Sequence, residues 1–110
     1  MVNKIILIGR VGQDPDVNYM DNGKAVAKFT LATSETFKNK SGDKTTNTTW
    51  HNIVLWNKAA ELVEKYVKKG DLLCVEGKQI NRSYEKNGET KYISEVITES
   101  FQMLTPKKDQ

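Results

Sequence analysis

The chain has 110 residues, enough for one domain that buries roughly two-thirds of its unfolded surface, so no disulfide or metal is needed to hold it together. Its 37% hydrophobic and 28% charged residues are those of a soluble globular protein, and no apolar run approaches the ~20 residues needed to cross a bilayer. The net charge of +3 permits a polyanionic partner, and with only Arg10 and Arg82 as arginines among 17 basic residues, nucleic-acid binding would be weakly sequence-selective.

NKIILIGRV (3 to 11) is a β-rich run, too short and too strand-like for a signal peptide, so a cytoplasmic location is expected. GQDP breaks the run, PDVNYM resumes it, and DNGK (21 to 24) predicts a hairpin with a primed turn, because Asn and Gly accept positive φ. In the next strand Ala25, Ala27, Phe29, Leu31 and Thr33 alternate with Lys28, Thr30 and Ser34, the pattern of half-burial. KNKSGDKTTNT (38 to 48) carries three lysines without hydrophobic period and predicts a long mobile basic loop. TWHNIVLWN (49 to 57) places Trp50, Asn52, Val54 and Trp56 on one face and His51, Ile53 and Leu55 on the other. With Ile53 and Leu55 inward, both indoles face out, where such groups are found when something binds them.

KAAELVEKYVKK (58 to 69) predicts the single helix, with Asn57 capping its start, Gly70 closing it and Ala59, Leu62, Val63, Tyr66 and Val67 forming a core stripe. DLLCVEGKQINRSYEKNG then runs to a second turn at Asn87 and Gly88, and ETKYISEVITESFQML returns as its partner; Cys74 reads as a small buried hydrophobe. Residues 1 to 105 form the domain, and 106 to 110 read as a short flexible tail. A lone helix between the third and fourth of five long strands predicts an all-β fold, the five-stranded Greek-key OB-fold barrel with the helix plugging one end; a sandwich leaves the helix without a place.

Little in the sequence supports catalysis. His51 has no nucleophile or carboxylate fixed beside it by spacing, no phosphate-cradling glycine loop occurs, and Cys74 and His51 lack zinc spacing. An enzyme, a metal and a cofactor are therefore not expected; His51 reads as a structural or interface residue, and Glu61, Glu64, Glu95 and Glu99 read as solvated. What remains is aromatics among bases: Phe37, Trp50 and Trp56 with Lys58, and Tyr84 with Arg82 and Lys86. Rings accept any base and cations follow the phosphates, which suits single strands.

VNKIILIGRVGQDPDVNYMDNGKAVAKFTLATSETF, TTWHNIVLWNKAAELVEKYVKKGDLLCVEGK and NRSYEKNGETKYISEV, which span nearly the whole chain, together resemble the bacterial single-stranded DNA-binding proteins. The resemblance implies a homotetramer that wraps single-stranded DNA without sequence preference during replication, recombination and repair, in the cytoplasm on the nucleoid. It places stacking on Phe37, Trp50, Trp56 and Tyr84 and a subunit interface at His51. Phosphates are expected at Arg10, Lys58, Lys78, Arg82 and Lys91. Phe37 and Tyr84 stand where the family commonly has tryptophan, Trp56 where it has phenylalanine, and Asn18 where it often has arginine. Members typically continue into an acidic tip that recruits replication and repair enzymes; this chain stops at KKDQ, so such recruitment is not expected of it. An accessory, primosomal-type protein-interaction module and a single-stranded RNA binder are the alternatives.

Overall fold

The computed structural model describes residues 1–105, so the tail expected over 106 to 110 lies outside the described residues. Six strands and one helix follow in the order β1 (Ile5–Val11), β2 (Asp16–Tyr19), β3 (Ala25–Lys38), β4 (Lys44–Trp56), α1 (Asn57–Tyr66), β5 (Leu72–Lys86) and β6 (Glu89–Met103). The sheet runs β1-β5-β6-β4-β3-β2, and a further β1–β3 pairing closes it into the expected barrel, with β2 as an extra strand and the helix between β4 and β5. Closure depends on Gly9, where a side chain would strike the Ala32 carbonyl.

Alternation fills the barrel. Leu31, Ile53, Leu55, Leu73 and Val75 are fully buried, and Ala60, Val63 and Val67 close over them from the helical segment. The inward row on β6 changes parity between Val96 and Thr98 on one side and Phe101 and Met103 on the other, because the register slips opposite Glu76 and Gly77.

Several sequence expectations are corrected by local chemistry. The segment 38 to 48 is mostly ribbon: β3 and β4 pair from Val26↔Trp56 out to Lys38↔Lys44, leaving a turn held by the Asn39 carboxamide, which accepts from the amides of Ser41 and Asp43. Its β-branched threonines pair across the strands, where Thr36 meets Thr46 and Ser34 meets Thr48 at 3.2 Å each. The Asn87–Gly88 turn has positive φ at both residues, as a primed turn requires; at residues 21 to 24 only Gly23 does. The helix is capped by Trp56 without a side-chain bond and ends at Tyr66, since Asp71 accepts the Lys68 amide and Asp14 the Lys69 amide, each at 2.9 Å. Those bonds satisfy the chain in a turn where the sequence suggested another helical turn. Leu62 and Tyr66 are exposed, and Cys74, on the outward row of β5, is half-buried.

Candidate nucleic-acid interface

The outward rows of five strands make the candidate surface. Lys28, Val54, Ile97 and Lys78 stand in register across β3, β4, β6 and β5, so a lysine lies on either side of an apolar pair. Arg10, Ala32 and Trp50 form a second row across β1, β3 and β4. The Trp50 ring edge lies against Gly12, where an added methyl group would strike both that ring and the Thr30 hydroxyl. Absence of a side chain there lets a large indole rest against the barrel with 60% of the residue still exposed. Trp56, at 40% exposure, ends the same row, with Lys58 following it on the first turn of α1. Val54 between the two indoles is buried, so the rings flank a low floor.

Tyr84 is exposed on the outward row of β5, two residues from Arg82 and directly opposite Lys91. Lys91 also reaches Glu89 at 3.2 Å, and Arg10 donates to the Gly70 carbonyl at 3.1 Å. Phe37 is exposed as well, but it pairs with Thr45 on the inward parity of the ribbon, the parity of Leu31 and His51. Trp50, Trp56 and Tyr84 therefore belong to one surface, and Phe37 to the ribbon's other side.

Beside Asn52 and Val54 of β4 runs a groove of about 200 Å³ whose lining also includes Asp16, Lys28, Thr30, Arg82 and Glu95. Glu95 is not solvated: it is 5% exposed, and its carboxylate accepts from Arg82 Nε at 2.6 Å and Nη2 at 3.3 Å. That bond and the charge behind it hold the Arg82 guanidinium above its already high range. Lys28 and Glu95 were not candidates from the sequence; Lys28 was visible in the β3 alternation, whereas the place of Glu95 depends on the β5–β6 register. A second groove of about 250 Å³ brings together Trp50, His51, Gln79, Ser94 and Tyr92, the last 79% exposed. In it His51 is half-buried with Nε2 2.9 Å from Thr33 Oγ1, and desolvation lowers its pKa.

Among the described residues no group of three His, Cys, Asp or Glu side chains could hold a metal, and no helix is long and apolar enough to cross a membrane.

The model of the single-strand binding protein family matches residues 2–104. The single-stranded DNA-binding protein of Bacteroides thetaiotaomicron is 50% identical over 109 residues, covering 96% of this chain and 68% of that protein. The protein of the same name from Neisseria meningitidis serogroup A is 43% identical over 104 residues, covering 94% and 60%. This chain thus spans about two-thirds or less of the length of these curated relatives. Among solved structures, the Plasmodium falciparum SSB complex with ssDNA superposes with a TM-score of 0.87 at 35% identity, over 94% of this chain and 96% of that one.

Proposed function

The chain belongs to the single-strand binding protein family, and from that premise we propose that it binds single-stranded DNA without sequence preference, stacking bases on Trp50, Trp56, Tyr84 and Phe37. The observation that supports this reading is the row of two exposed indoles on β4, with Lys28 on the adjacent β3 and Lys78 beyond β6 on β5. A core would have buried such rings, and a duplex would not offer base faces to them. Arg10, Lys28, Lys58, Lys78, Arg82 and Lys91 meet phosphates as point charges or forks, which explains tolerance of any sequence. The work is binding rather than catalysis, carried out on the nucleoid during replication, recombination and repair.

A protomer of charge +3 holds a long polyanion weakly. Assembly into a homotetramer, with His51 at a subunit interface, joins several such faces into one path. Titration with oligothymidine at two salt concentrations, read by tryptophan quenching and by mass in solution, tests the whole reading. Quenching that weakens with salt, in a particle four times the protomer mass, is expected; a particle that leaves tryptophan emission unchanged on addition of oligothymidine overturns it. Competition with oligouridine decides between DNA and RNA.

A further inference from the structure

We propose that Glu95 is a positioning residue for single-strand binding, acting through Arg82; the inference rests on the functional reading above. A carboxylate in the middle of a surface built for a polyanion is unfavourable by simple electrostatics. Glu95 nevertheless sits there, 5% exposed, in the groove lined by Asn52, Val54, Lys28 and Arg82, with Asp16 the other carboxylate of that lining. Its two oxygens take Nε–H and one Nη2–H of Arg82, a two-point grip on one edge of the guanidinium. The Arg82 side chain remains 48% exposed.

Arginine has five N–H donors in a planar fork, so a grip that uses two leaves three, two of them on the end-on edge that matches a phosphate. Ile93 stands opposite Arg82 across the hairpin, and Tyr84 follows two residues on along the same row, so the held guanidinium lies on the strand that carries an exposed ring. Arg82 is one of only two arginines in the chain. Immobilising a free arginine on binding weakens an equilibrium by roughly tenfold, and a side chain already fixed by Glu95 avoids most of that loss. The negative charge then acts as an anchor for a cation rather than as a repulsive element.

Glu95→Gln separates the two roles, because it keeps shape, removes one charge and leaves the amide oxygen a single acceptor. If Glu95 is only a repulsive or structural charge, the variant binds oligothymidine as tightly as the wild type or more tightly, with a steeper salt dependence. If it positions Arg82, affinity falls about five- to tenfold although the protein has become more positive, and the salt slope is unchanged because Arg82 still neutralises a phosphate. The double variant Arg82→Gln with Glu95→Gln leaves no buried unpaired charge; its affinity should fall further and its slope lose about 0.7. The Arg82 Nε–H resonance supplies a readout that needs no DNA: it should be sharp and protected in the wild type and broadened in Glu95→Gln. A wild type that does not bind overturns the functional reading and this one with it. A wild type that binds beside an equally tight Glu95→Gln overturns only the positioning role.

Discussion

Trp50 and Trp56 show how far one alternating strand can be read. The assignment of Ile53 and Leu55 to the interior follows from pleat geometry, and both are fully buried while both indoles are exposed. Truncating a core tryptophan costs ~3–5 kcal/mol of folding. Trp50→Ala is expected to cost about 1 kcal/mol or less of stability, since most of that ring is already in water, while weakening oligothymidine binding by about 1–3 kcal/mol. Urea unfolding and fluorescence titration of Trp50→Ala and Trp56→Ala measure both. His51 makes a pH prediction. Desolvation holds its imidazole below the ordinary 6.5, so the unfolded chain takes up the proton first on acidification. The contribution to stability is complete above 6.5 and lost as pH falls below it. Denaturation midpoints measured between neutral pH and the range just under 6.5 should decline, and His51→Gln should flatten that segment. Glu95 departs from the solvated place its sequence suggests, because sequence says nothing about which cation a hairpin register brings beside a carboxylate.

At the scale of elements, boundaries were harder to read than identities. The helix is legible from the spacing of Val63 and Val67, yet its end is not, because one of the two groups that stop it comes from elsewhere: Asp14 lies 55 positions from Lys69. Asp71→Ala frees the Lys68 amide and should lower the unfolding free energy by about 1 kcal/mol, seen as a shift of the urea midpoint at unchanged slope. Residues 38 to 48 lack a hydrophobic period, the pattern of a loop. They form ribbon because their threonines favour strand backbone and pair hydroxyl to hydroxyl, a polar route to order that hydrophobic patterning does not detect. The two Asn-Gly pairs look alike in sequence, but the DNGK turn places only its glycine at positive φ, so the dipeptide located both hairpins and identified the turn type at one.

For the whole molecule, the barrel was legible because strand count, the lone helix and its place in the order admit few closed arrangements. The shape of the binding surface was less so, since Lys28 and Lys78 come into one row only through two intervening strands. Charge on this surface should be countable. Lys58→Gln and Lys78→Gln are each expected to weaken oligothymidine binding and to reduce the slope of log affinity against log salt by about 0.7, with thermal stability within ~0.5 kcal/mol of the wild type. A residue whose replacement leaves the slope unchanged lies off the phosphate path.

Phe37 and Trp50 sit on opposite sides of one two-stranded ribbon. A nucleic-acid strand stacked on both rings has to pass around the ribbon, as rope passes around a cleat. Such a strand cannot lift off along a single direction; release begins at one side and proceeds by unwinding. Shortening the ribbon by residues 36 to 46, which removes Phe37 with its end, would then convert stepwise release into a single fast phase, even with every ring of the Trp50 face still in place.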